Sequence, residues 1–379
     1  MAGIYIHVPF CSRFCNYCDF YSVKQTGRIG AYIESLLCEI EQRRDFFIKC
    51  NVTPATLYIG GGTPSLLSPD QISLITEKIC SCFGISSVDH FREFTVEVNP
   101  DDVNKDYLLR LSSIGVKRLS MGIQSFDDED LYWMNRRHDS AMAREAYYIA
   151  RECGFANISL DLIFGYSLLS EEKWVRNIET LLSLRPEHIS SYQLGIEKNT
   201  KLGAQFARGE YSPLSDEQSY LQYSTLQGML SDAGYRQYEI SNFALPGFEA
   251  IHNSSYWDYS PYLGLGPSAH SFDGDTRSWN CASIIKYTNS LQNGKRCFQS
   301  ERLTSGDKFN ERVMLSLRRV EGLDIKSLKE LSLMDDYASF TKQLKDLLRQ
   351  GLVVEEGDKI IIPSDKLFIS DGIIRDLFI

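Results

Sequence analysis

The chain has no run of about 18 apolar residues, the length a membrane-spanning helix needs. Its start, MAGIYIHVPFCSRF, lacks the basic stretch and apolar core of a secretory leader. It has no low-complexity tract and no clear internal repeat. Basic residues are in deficit: 40 Lys and Arg stand against 50 Asp and Glu, for a net charge of -10. That balance opposes a broad surface that neutralises nucleic-acid phosphates. Charged residues make up only 24 % and apolar ones 43 %, so the chain can bury a large core and disorder is excluded. No transmembrane segment and no nucleic-acid partner are expected. The ten cysteines point to a reducing compartment, where thiols stay free or bind metal, and so to a cytoplasmic protein or one peripheral at the membrane.

Strands are expected at Gly3–Val8, Ala55–Ile59, Phe94–Val98, Arg118–Ile123, Asn157–Phe164 and His188–Gly195. Helical spacing separates them: Ile33, Leu36, Leu37 and Ile40 recur at i, i+3, i+4 and i+7, and Tyr107–Ile114, Ala141–Ala150 and Trp174–Leu184 repeat the pattern. Ser68-Pro69-Asp70 and Ser170-Glu171-Glu172 read as helix starts. Alternation of this kind implies parallel strands joined by right-handed crossovers, in a partial barrel or an open doubly wound sheet. Both gather function at the C-terminal strand ends. Residues 1–235 are the expected core, 236–300 a connecting segment, and 301–379 a separate C-terminal unit. That unit is expected to have helices at Ser305–Arg319, Ile325–Leu331 and Tyr337–Gln350. A hairpin then turns at Glu356-Gly357-Asp358, giving a winged-helix-like shape. It lacks a basic stripe, which favours packing or partner docking over nucleic acid.

Seven cysteines (Cys38, Cys50, Cys80, Cys82, Cys153, Cys281, Cys297) are scattered and read as small buried hydrophobes. Cys11, Cys15 and Cys18 instead crowd onto the loop after the first strand, spaced Cys-x3-Cys-x2-Cys. A cation must compensate three thiolates so close together. Zinc and inert thiols are the alternatives to an iron–sulfur cluster, and structural zinc ordinarily takes a fourth Cys or His at short range. A [4Fe–4S] cube suits soft thiolates, and three cysteines leave one iron open to a small ligand.

This spacing, with Tyr17 before the third cysteine, resembles the radical S-adenosylmethionine superfamily. Gly60-Gly61-Gly62-Thr63-Pro64 resembles that superfamily's glycine-rich stretch. The resemblance implies a partial (β/α)6 TIM-like barrel of α/β class, a cluster on Cys11, Cys15 and Cys18, and S-adenosylmethionine cleaved reductively by an electron from a flavodoxin or ferredoxin. Tyr5-Ile-His7-Val-Pro9-Phe10-Cys11, Glu97-Val-Asn99-Pro100, Ser120-Met-Gly122-Ile-Gln124-Ser125-Phe126 and Asp161-Leu-Ile-Phe-Gly165 are similar to the oxygen-independent coproporphyrinogen dehydrogenases. By motif order this implies S-adenosylmethionine contacts at Tyr5, Tyr17, Gly61, Gly62, Thr63, Glu97, Gln124, Arg136 and Asp161. For any one of these, a structural ion pair or cap is the alternative. Those dehydrogenases carry a further cysteine where this chain has Phe20, and an N-terminal extension longer than the ten residues before Cys11. His252-Asn253-Ser254-Ser255-Tyr256-Trp257 resembles the signature of the heme chaperones, which implies heme as ligand and heme-accepting apo-proteins, such as respiratory enzymes, as partners. His252 is the candidate heme ligand, with orientation of Trp257 as its alternative role. His270, in Gly264-Leu-Gly266-Pro-Ser268-Ala-His270, is a second candidate in what is otherwise a tight packing loop.

Overall fold

The computed structural model describes residues 1–329 and 334–379. Six parallel strands run in chain order: β1 (Ala2–Val8), β2 (Pro54–Gly61), β3 (Glu93–Val98), β4 (Arg118–Gln124), β5 (Ile158–Phe164) and β6 (His188–Gln193). Each expected strand is found within a residue or two of its expected limits. Helices return the chain between them, including Ile29–Gln42, Pro69–Phe83, Lys105–Ile114, Ser140–Glu152 and Glu171–Leu184. Ser68 and Gln71 form a capping box, and Ser170 caps its helix through Lys173 N. This is the partial (β/α)6 barrel.

Strand parity assigns the two faces. Ala2, Ile4, Ile6 and Val8 are fully buried against the helices, as are Leu119, Met121 and Ile123. The alternate residues are polar or small: Gly3, Tyr5 and His7; Thr56, Tyr58 and Gly60; Thr95 and Glu97; Arg118, Ser120 and Gly122; Ser159 and Asp161; His188 and Ser190. Register aligns them across the concave face, with Tyr5 beside Tyr58, Thr95 beside Arg118, and Asp161 beside Ser190. Polar groups there must satisfy one another or a ligand.

Residues 236–300, expected as a connecting segment, extend this sheet at both ends. β7 (Arg236–Glu239) and β8 (Asn242–Ala244) add antiparallel strands beyond β6. β9 (Tyr262–Leu265) joins β1 in parallel, and β10 (His270–Phe272), β11 (Thr276–Asn280) and β12 (Phe298–Arg302) continue antiparallel to the edge. The sheet therefore has twelve strands, with β7 and β12 at its edges. In the C-terminal unit, helices Ser305–Leu317, Ile325–Lys329 and Met334–Arg349 pack with a three-stranded sheet of β13 (Leu323–Asp324), β15 (Lys359–Ile361) and β14 (Val354–Glu356). The expected helix Ile325–Leu331 ends outside the described residues beyond Lys329. No helix among the described residues is long and apolar enough to cross a membrane.

Candidate functional site

The C-terminal strand ends meet the cysteine loop at one mouth of the barrel. Cys11 N–H donates to Val23 C=O at 3.0 Å and Val23 N–H to Pro9 C=O at 2.6 Å, which closes the base of the loop. The turn after the short helix Asp128–Trp133 grips its middle. Asn16 N–H donates to Met134 C=O (3.2 Å), Asn16 Nδ2 to Trp133 C=O (2.5 Å) and Asn135 Nδ2 to Phe14 C=O (2.6 Å).

The Cys11 and Cys15 sulfurs each accept a hydrogen bond. Thr63 Oγ1 donates to Cys11 Sγ at 3.5 Å, and Gly62 N–H donates to Val8 C=O at 2.8 Å. A Cβ on Gly62 would stand 2.8 Å from Phe10 O and 3.0 Å from Cys11 Sγ, so only glycine lets the second strand end lie against the loop. Arg136 donates to Cys15 Sγ (3.2 Å), Asn99 Oδ1 (3.0 Å) and Gly122 C=O (2.6 Å). Asn99 Nδ2 in turn reaches Thr63 Oγ1 at 3.4 Å, linking the Cys11 and Cys15 supports. Tyr17 lies beside Cys15 and Arg136. Burial lifts the Cys11 thiol, and it pushes the Cys18 thiol up to about 11. A metal must therefore displace protons to bind there, and its affinity falls with acidity. Among the described residues no three His, Cys, Asp or Glu side chains converge as a single metal ion requires. A cubane gives each cysteine a different iron and needs no such convergence. The donor set and the glycine-lined cradle fit it.

Behind the loop, Glu97 accepts from Gly61 N–H (2.9 Å) and Tyr58 O–H (2.8 Å). Burial, and to a lesser degree Asp161, push its carboxyl up to about 7. Gln124 holds a left-handed backbone (φ 72°) where the β4–β5 register shifts, the kind of strain found at functional sites. Tyr5 pairs with His7 (3.1 Å) rather than with the loop. Asp161 stands deeper, among Ser120, Ser159, Ser190 and Arg118, and burial pushes it up to about 6.

Two expectations need correction. His252 is not an open ligand: it is 2 % exposed at the opposite, N-terminal end of the strands. Its Nδ1 pairs with Thr56 Oγ1 (2.8 Å), its Nε2 with Tyr256 Oη (2.9 Å), and its ring stacks on Tyr58 at 5.1 Å. Both ring nitrogens are thus committed within the chain. His270 is the exposed one of the two candidates, stacked on Trp279. Nor are the scattered cysteines all buried: only Cys153 is, and Cys38 is exposed. Asn99 and Arg118 join the site without having been expected there. Asn99 lies in the Glu97-Val-Asn99-Pro100 motif, and Arg118 is the one cation of β4.

Residues 5–181 match the radical SAM superfamily, and residues 303–363 match the HemN C-terminal domain. A protein of Bacillus subtilis named heme chaperone HemW is 35 % identical, covering 93 % of each chain. Its namesake in Lactococcus lactis is 32 % identical over 94 % of this chain and 92 % of its own. The mouse mitochondrial radical S-adenosyl methionine domain-containing protein 1 is 30 % identical over 93 % of this chain and 82 % of its own. Among solved structures, the coproporphyrinogen III oxidase HemN of Escherichia coli superposes with a TM-score of 0.85 over all of this chain and 90 % of its own; at 24 % identity it shows the fold alone. Relatives this similar over nearly the full length, with the superfamily's match falling on the barrel that carries the three cysteines, place the chain in the heme chaperone HemW family of the radical SAM superfamily.

Proposed function

We propose that the chain binds heme and delivers it to apo-proteins such as respiratory enzymes, in the cytoplasm or at the membrane surface. It holds a [4Fe–4S] cluster on Cys11, Cys15 and Cys18 with S-adenosylmethionine beside it, and draws electrons from a flavodoxin or ferredoxin. The carrying observation is kinship with proteins named HemW over more than nine-tenths of the chain. When bound, such a cluster supplies low-potential one-electron chemistry at the sulfonium.

The chain's own residues bind and orient. Thr63 and Arg136 donate to the Cys11 and Cys15 sulfurs, which stabilises thiolate charge and tunes the potential. Gly61, Gly62 and Glu97 form the seat for a ligand ammonium. Glu97 is fixed there by Tyr58, and Gln124 and Arg136 close the neighbouring side. The concave polar face offers hydroxyls and Asp161 to ribose-type groups.

The alternative, coproporphyrinogen decarboxylation, lacks a thiol at Phe20, which is 70 % exposed. The test is anaerobic reconstitution followed by separate incubations with hemin and with coproporphyrinogen. Stoichiometric heme retained through gel filtration, with no porphyrinogen turnover, is expected. Turnover to a vinyl product without heme retention rejects the chaperone reading. In the same preparation Cys15→Ala abolishes cluster absorbance and Cys153→Ala keeps it; equal iron in the two variants would remove the cysteine loop from the cluster role.

A further inference from the structure

Two of the scattered cysteines are not solitary. β11 and β12 pair antiparallel from Thr276 opposite Arg302 to Asn280 opposite Phe298. One step further, Cys281 N–H donates to Cys297 C=O at 2.8 Å, so the ladder sets the two cysteines directly across from each other. Their thiols lie beside each other, and the Cys281 thiol donates to Ser283 C=O at 3.9 Å. Opposed residues of a hydrogen-bonded antiparallel pair have Cα atoms about 5.5 Å apart. A disulfide spans about 4.4–6.8 Å. Both residues are half-buried, and β12 is an edge strand exposed along its whole length, so a small reagent has access. Among the described residues no third ligand completes a metal site there.

The segment that carries Cys281 also braces the cysteine loop. Ile284 N–H donates to Tyr21 Oη at 2.6 Å, and Tyr21 C=O pairs with His7 Nε2 at 2.8 Å. We propose that Cys281 and Cys297 are a redox-active dithiol that closes to an intramolecular disulfide by exchange with a small-molecule disulfide such as oxidised glutathione, tying the edge strand to the segment that braces the cysteine loop.

The exchange balances in two steps. The Cys297 thiolate attacks one glutathione sulfur, breaks its S–S bond and releases one glutathione thiolate. Cys281 then gives up its proton and attacks the Cys297 sulfur, expelling the second. Two protein thiols lose two electrons and two protons, and one small disulfide becomes two thiols. The order follows from the site. Burial, and then Cys297 beside it, push the Cys281 thiol up to about 12, so it remains the hydrogen-bond donor and Cys297 is the first nucleophile.

The test uses the full chain purified without oxygen, poised in glutathione buffers, alkylated and cut with trypsin. Cleavage after Arg277, Lys286, Arg296 and Arg302 puts the two cysteines on separate peptides, 278–286 and 297–302. Expected is a linked pair of these peptides, released by dithiothreitol, with oxidation at least about tenfold more favourable than at the exposed Cys38, because the partner thiol is already in place. In Cys281→Ser the linked pair is lost and Cys297 stops at the glutathione mixed disulfide. If the two cysteines in the unmodified chain are alkylated or glutathionylated independently, in the same proportion as Cys38, or if either links to another cysteine instead, the dithiol is overturned.

Discussion

At the scale of single residues, the same side chain reads differently by sequence and by place. His252 sits in a motif that resembles a heme-chaperone signature, and an imidazole is an ordinary axial ligand, so the sequence makes it a ligand candidate. What the sequence does not give is the distance between residue 252 and residues 3, 56 and 58, which only the folded sheet brings together. There His252 joins helix Ile251–Trp257 to the base of β1 and β2. Burial, and then Arg118, hold its ring neutral, with its pKa down to about 3. His252→Ala would strand Thr56 Oγ1 and Tyr256 Oη and leave a void under Tyr58. The expected cost is about 2–4 kcal/mol. It is read as a lower urea midpoint at unchanged slope, with the hemin absorbance spectrum as in the parent chain. A changed Soret band at an unchanged midpoint would return His252 to the ligand role. The three cysteines, by contrast, lie together in sequence as in space, because three thiols in eight residues need no tertiary contact to meet.

Among elements, the six βα units were legible because β1 to β5 carry an apolar outward face and each helix its 3.6-residue stripe, both local signals. β7 to β12 were not. They are strands of three to five residues, too short for alternation to show, and β9 finds its place only by pairing Tyr262 with Gly3. At the site, the decisive contact between elements is the close approach of the second strand end to the cysteine loop. Gly62→Ala tests it. The new methyl meets Phe10 O, Val8 O and Cys11 Sγ within 3.0 Å, mostly backbone that has no rotamer to yield. We expect a stability loss of about 1–3 kcal/mol from overpacking, and a larger fractional loss of iron per chain after reconstitution, since the loop itself must move. Gly30→Ala is the control: it lies in helix Ile29–Gln42 with nothing within 4 Å, and it should keep both iron and stability. Full iron occupancy in Gly62→Ala would mean that the loop does not depend on this seat.

For the whole molecule, a polar concave face means that many titratable groups are buried together, and their balance sets the response to pH. Five of the six histidines (His7, His138, His188, His252, His270) have pKa values lowered first of all by burial. The folded chain keeps them neutral below 6.5, where the unfolded chain binds their protons, so their contribution is present above 6.5 and lost as pH falls. Glu97 and Asp161 act in the opposite sense. Their folded values of about 7 and about 6 lie above the ordinary 4.5 and 3.8, so their contribution is full at acid pH and lost as pH rises through the folded values. Burial raises Asp130, Glu171, Glu239 and Glu311 as well, so carboxyls and histidines oppose each other across mild acidity, and each group fully displaced changes stability by about 1.4 kcal/mol per pH unit. The response of the metal-free chain to mild acid is therefore the difference between the two sets, which single substitutions separate. Glu97→Gln removes one proton that the folded chain binds and the unfolded chain does not, so from about pH 6.5 to 5.5 its urea midpoint should drop relative to the parent's. Parallel curves for parent and variant would show that Glu97 is already ionised there.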